Sequence, residues 1–229
     1  MKVEIVSDGM KMIKLPKPLN LVLNRIVEGE VVLIEYNSLS NIDLLPLKLT
    51  SIGNSVFVEI GDKLQVKLYA LINALKDTDP ELLDAIRKTP IISVSNFAMS
   101  FPGFNIVNVP LNEITKMISK FYSFMKDSRE NHLLVICGIE QIALHFDIQN
   151  FLREFAGLKV ALPSVTFVGF LNYDAVDKRD LAIFESMATT VVRIEGAVDM
   201  ERKKIRKYIY PIKSINPVRC DVAEIKHEI

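Results

Sequence analysis

Two rhythms of apolar residues alternate along this chain. Short unbroken apolar runs mark strands buried on both faces, and longer segments with apolar residues three and four apart mark amphipathic helices. The first run, Val31-Val32-Leu33-Ile34-Glu35-Tyr36, follows Glu28-Gly29-Glu30 and predicts a central strand. Asn37, Ser38, Ser40, Asn41 and Asp43 then form a loop rich in helix-capping residues, and the segment to Ile52 has helical spacing with Pro46 tolerated in its first turn. Val56-Phe57-Val58-Glu59-Ile60 predicts a second strand, Lys63 to Leu75 a helix, Pro80 to Lys88 another, and Ile91-Ile92-Ser93-Val94 a third strand.

The uncharged stretch Thr89 to Asn112 is long enough to raise the question of a membrane span. Pro90, Pro102, Gly103 and Pro110 interrupt it, so it reads as strand plus loop. Leu111 to Met125 carries the stripe Ile114, Met117, Ile118, Phe121 and Phe124 of a helix on a sheet. The strand Leu133-Leu134-Val135-Ile136-Cys137 follows, then a helix over Ile148 to Leu158, the strand Val165 to Leu171 and a helix over Arg179 to Met187. Thr190 to Ile194 and Lys207 to Ile212, joined by a short charged segment, predict a terminal antiparallel hairpin. Alternating strands and helices predict an α/β fold with a mostly parallel sheet between two helical layers. No repeat or Pro/Gly/Ser-rich linker divides residues 1–229, which are expected to form a single domain.

Composition narrows the function classes. Acidic and basic residues balance at 28 each, so no global field draws the chain to nucleic acid or to an anionic membrane. The opening MKVEIVSDGMKMIKLPKP carries charges throughout and lacks the apolar segment of a secretory signal, from which a cytoplasmic location is expected. Cys137 and Cys220 stand far apart, and His132 and His227 have no companions at metal-ligand spacing, so neither a disulfide framework nor a metal site is indicated.

In layout the chain resembles the RecA-like ATPases of the KaiC and archaeal RadA type over most of its length. Leu19 to Val27, then Glu28-Gly29-Glu30 and the strand Val31 to Glu35, are similar to the short helix, glycine turn and VVLIEG-type strand that open those proteins. The resemblance implies a three-layer αβα fold of the P-loop NTPase kind. It also implies a phosphate loop, G-x-x-x-x-G-K-S/T, whose backbone N–H groups, Lys and hydroxyl hold phosphate and Mg²⁺. Here those key positions fall on Tyr36, Asn41, Ile42 and Asp43, and an acid at a helix N-terminus repels an anion. The acidic pair after the second strand falls on Gly61-Asp62, and the metal-supporting Asp of LLVIDSLS falls on Cys137. Phosphoryl transfer depends on positioning and charge neutralisation, so these joint losses predict no ATP hydrolysis and no catalytic residues. The closing strands, Ala188 to Ile194 and Arg206 to Lys213, are again similar to that family. The chain also resembles uncharacterised degenerate RecA-like proteins of hyperthermophilic archaea, which carry no activity to transfer.

Two groups of residues remain as candidate sites. Tyr36, Asn37, Ser38, Ser40 and Asn41 lie beyond the carboxyl end of the first strand, where open α/β sheets place ligands, although helix capping alone accounts for the Ser and Asn. Phe97, Met99, Phe101 and Phe104 form an apolar group that either folds into the core or presents a partner surface. Glu140, Gln141 and His145 lack a nucleophile and read as a helix start with an exposed histidine. Glu201 to Lys204 with Arg206, Lys207, Tyr208 and Tyr210 read as a solvated hairpin rather than a nucleic-acid surface, because Glu195 and Asp199 are close by. The expectation is a non-catalytic, cofactor-free binding or assembly module that forms a homo-oligomer or docks a protein or peptide. A nucleotide sensor without turnover and a nucleic-acid regulator are the alternatives.

Overall fold

The computed structural model describes residues 4–5, 11–13, 15–42, 44–52, 54–127, 133–216 and 218–225. The strands are β1 (Glu4–Ile5), β2 (Lys11–Ile13), β3 (Ile26–Val27), β4 (Val31–Tyr36), β5 (Ser55–Ile60), β6 (Ile91–Val94), β7 (Ile106–Val109), β8 (Leu133–Cys137), β9 (Thr166–Asn172), β10 (Thr190–Asp199), β11 (Lys204–Lys213) and β12 (Ala223–Ile225). The α-helices are α1 (Leu45–Thr50), α2 (Leu64–Leu75), α3 (Pro80–Lys88), α4 (Ile114–Asp127), α5 (Glu140–His145), α6 (Ile148–Ala161) and α7 (Lys178–Met187). A nine-stranded sheet runs β12-β11-β10-β4-β9-β8-β5-β6-β7. Pairing is parallel from β10 through β7, and β11 and β12 add to that edge in antiparallel fashion. A small antiparallel sheet of β1, β2 and β3 completes the strands among the described residues.

Alternation along the strands sorts the interior into two layers, because neighbouring side chains point to opposite faces of the sheet. Val32, Ile34, Phe57, Val135, Cys137 and Phe170 face α1, α2 and α3. Leu33, Val58, Leu134, Ile136 and Phe167 face α4, α6 and α7. The sheet is therefore covered on both sides, which is why its central strands read as continuous apolar runs. Helix starts follow local chemistry. Asp79, Asp147 and Asp177 accept the backbone N–H groups of Leu82, Gln149 and Asp180 at 3.0, 3.1 and 2.8 Å, and Pro80 occupies the first turn of α3.

Three local expectations are corrected. Leu19 to Val27 does not form the opening helix: only Leu19–Leu21 makes a short 3₁₀ turn, and Ile26–Val27 joins the small sheet as β3. The β-branched Ile26 and Val27 pair with β2 instead, which draws the end of the segment out of helical backbone and leaves only its first turn wound. The stretch after β6 is not simply loop, since Ile106–Val109 pairs with Ile91–Val94 as the edge strand β7. In α4, Met125 lies inside while Phe124 sits at the margin of the core, which rotates the buried stripe slightly from the one expected.

Candidate functional site

The loop between β4 and α1 stands where a RecA-type domain carries its phosphate loop, and its own neighbours saturate it. Asn37 pairs with the backbone of Gly196 in both directions: its amide donates to the Gly196 carbonyl at 2.8 Å, and its Oδ1 accepts the Gly196 N–H at 2.8 Å. The buried Ser40 hydroxyl sits 2.6 Å from Asn37 Oδ1 and 2.8 Å from the Ile194 carbonyl. These contacts pin the loop to β10. A glycine is required at 196, because a Cβ there would lie 2.6 Å from the Leu39 carbonyl carbon and oxygen.

The free face of the loop is also occupied. The Ser38 N–H donates to Asp174 Oδ2 at 2.9 Å, and the Asn172 amide lies 3.4 Å from Ser38 Oγ. A carboxylate thus takes a backbone donor of the kind a phosphate oxygen would use. Ile42, which the resemblance sets against the phosphate-binding lysine, is 3% exposed and packs in the core with Leu45. Asn41 adopts φ +44°, a left-handed conformation at a position where the phosphate loop has glycine. Tyr36 is half-buried against the core, and Asp43 lies outside the described residues. The sequence singled out Tyr36, Asn37, Ser38, Ser40 and Asn41 for the site, but it held no sign of Asp174 and Gly196, which arrive from more than a hundred residues away.

The neighbouring strand ends carry buried acids. Glu59, beside Cys137 in the β5–β8 register, is 1% exposed and accepts both contacts from Lys67 Nζ of α2, at 2.7 and 2.8 Å. Burial raises its carboxyl above the usual range despite that ammonium. Glu59 is therefore paired and enclosed. Asp62, the acid of the Gly61-Asp62 pair that the resemblance puts at the water-activating position, is exposed and accepts from the Ser95 hydroxyl. Glu140 is buried at the start of α5 and accepts the Asn172 N–H at 3.2 Å, Gln141 packs over Gly61, and His145 is exposed at the helix end. Gly138 follows Cys137 with φ +77°, and a Cβ there would sit 2.1 Å from the Ile60 carbonyl oxygen.

On the opposite face, Arg193 of β10 binds the buried Glu35 through Nε at 2.8 Å and Nη2 at 2.6 Å, reaches Glu185 at 3.4 Å and stacks over Tyr173. Burial outweighs the guanidinium and holds the Glu35 carboxyl up to about 7. The Tyr210 hydroxyl donates to Glu195 at 2.8 Å. Farther along the hairpin Arg206 pairs with Asp199 at 2.7 Å, so part of the basic cluster is consumed internally.

The apolar group after β6 divides. Met99, Phe101 and Phe104 pack against the core, with Tyr69 and Phe101 edge to face at 5.9 Å and Phe101 and Phe104 at 5.6 Å. Phe97 is 68% exposed, and Val66 and Tyr69 are exposed one turn apart on α2.

This architecture is that of a RecA-like fold, a mostly parallel sheet between two helical layers. A comparison with solved structures finds the flagellar accessory protein FlaH of Methanocaldococcus jannaschii at a TM-score of 0.61 and 12% identity, covering 94% of this chain and 99% of that one. The KaiC-like protein PH0186 of Pyrococcus horikoshii matches at a TM-score of 0.64 and 17% identity, covering 97% of this chain and 94% of that one. PH0250 of the same organism matches at 0.55 and 15%, covering 82% and 88%. At these identities the likeness is one of fold. No protein-family model and no curated protein matches the sequence. Among the described residues no helix is long and apolar enough to cross a membrane.

Proposed function

We propose that this chain is a RecA-like domain without ATP turnover that works as a binding and assembly module. The observation that carries the reading is the internally filled phosphate loop: Ser38 N–H serves Asp174, Asn37 serves Gly196, and Ile42 sits in the core. A nucleotide entering there would have to displace a carboxylate already held by the loop and would find no lysine to neutralise its phosphates. The positive half of the reading rests on Phe97, Val66 and Tyr69, large apolar side chains left in solvent beside the β6–β7 edge. Exposed apolar patches of this kind mark sites of contact with other chains. FlaH, a protein of the same fold, is named as a flagellar accessory protein.

Native mass spectrometry with and without Mg-ATP tests both halves. The expected spectra show an oligomer, or a protomer with a peptide bound, that is unchanged by nucleotide. One ATP retained per chain would replace this reading with a sensor without turnover, and conversion of that ATP to ADP would overturn it. A nucleic-acid role would appear as binding that weakens steeply with salt and is lost when Arg206 and Lys207 are neutralised.

A further inference from the structure

At the opposite end of the sheet from the phosphate loop, α6 and α7 part over the start of β4. They leave a groove of 480 Å³ walled by Val31, Leu152, Phe155, Val160 and Met187, with Lys159 on its rim. That volume falls within the range of small-molecule sites, about 300–1,000 Å³. Behind the groove lies a second cavity of 40 Å³, bounded by apolar side chains that include Phe121, Ile139 and Phe184. The two share Val31, Phe155 and Met187, so these side chains are the partition between them. A methionine is the most adaptable of the apolar side chains, and a change of the Met187 rotamer would join groove and cavity into one channel. A cavity walled in this way does not hold water and accepts only an apolar group.

The rim adds a charge. Lys159 Nζ donates to the Pro163 and Val165 carbonyls at 3.0 Å each and lies 5.4 Å from the centre of the Phe167 ring. An ammonium has three protons, so one donor direction is left over. No carboxylate among the described residues pairs with this cation, and burial lowers its pKa accordingly. A partly buried cation without a counter-ion, placed at the mouth of an apolar channel, matches an anion that carries an aliphatic tail.

We propose that the groove between α6 and α7 binds a single-chain aliphatic carboxylate, its head group on Lys159 and its tail running past Met187 toward the internal cavity. This site is independent of the phosphate loop and of the assembly reading. The test is isothermal titration of the full chain with decanoate, below its micellar concentration, and in parallel with decanol. Decanoate is expected to bind once per chain, and decanol at least about tenfold more weakly, the worth of one good charge contact. Lys159→Met should bring decanoate down to the level of decanol. Because Lys159 also ties down the 163–165 turn, a second variant keeps the test open if that one fails to fold. Ala156→Trp, at an exposed position on α6 beside the groove, fills the channel from outside and should abolish binding of both ligands. The absence of saturable decanoate binding, equal affinity for the alcohol, or undiminished binding by Ala156→Trp would each overturn the proposal. So would binding confined to anionic phospholipid vesicles, which would make the groove a lipid-surface contact.

Discussion

Asn37 joins three partners that are distant in sequence or local to its own turn: both backbone groups of Gly196 and the Ser40 hydroxyl. Removing a partner from half-buried polar groups leaves them unpaired, which costs about 1–3 kcal/mol for each group affected. Asn37→Ala is expected to lower the urea midpoint, with a loss of unfolding free energy in that range, and Gly196→Val by at least as much, since its side chain meets the Leu39 backbone. An unchanged midpoint in both would show that the loop is not held by β10. Glu35 gives a pH signature. Its folded-state carboxyl stands near 7, above the value of about 4.3 for an unfolded chain, so the folded protein binds the extra proton between those values. Stability from this group is present at and below the lower value and declines as pH rises toward 7. The thermal midpoint of the native protein should fall more steeply between pH 5 and 7 than that of Glu35→Gln, in about that window. Parallel slopes would place the titration elsewhere.

At the scale of elements, Glu59 and Lys67 tie α2 to β5 through a pair that is nearly closed to solvent. Breaking one side of such a pair strands the other charge, at about 3–5 kcal/mol, whereas removing both is far milder. Lys67→Met should therefore destabilise strongly in chemical denaturation, and Lys67→Met combined with Glu59→Gln should recover most of the loss. A double variant no more stable than the single one would mean that the acid is not the cause. Element positions were largely legible in the sequence, because β4, β6, β8 and α3 are bounded by sharp changes of pattern and by Asp-Pro or Gly punctuation. The small strand β7 was not. Ile106-Val107-Asn108-Val109 is short, lies near Pro102-Gly103, and becomes a strand only because β6 offers an open edge.

The whole molecule carries exposed apolar side chains at both ends of its sheet: Phe97 near β7, and the cross-strand pair Val198 and Ile205 with Met200 at the far end of the β10–β11 hairpin. Two different patches on opposite edges favour head-to-tail contact, which propagates into rings or filaments. Phe97→Glu and Val198→Glu should each reduce the assembly to monomers by light scattering. An equimolar mixture of the two should form a dimer and stop there, since one intact patch remains on each partner. Larger species in the mixture, or no association of the native chain, would refute the head-to-tail arrangement.

Periodicity and composition determined the class of this protein. Unbroken β-branched runs alternating with amphipathic segments leave few ways to bury both faces of a parallel sheet, and Tyr36, Asn41, Ile42 and Asp43, where the resemblance puts the phosphate-loop pattern, could be read residue by residue. What occupies that loop was decided only by tertiary structure. Asp174 and Gly196 reach Ser38 and Asn37 because β9 and β10 flank β4 in the sheet, and strand order is not written in any local pattern. The same holds for Phe97 and its neighbours. Four apolar side chains in one loop look alike in sequence, and the packing of α2 against Phe101 decides which of them enter the core and which is left in solvent.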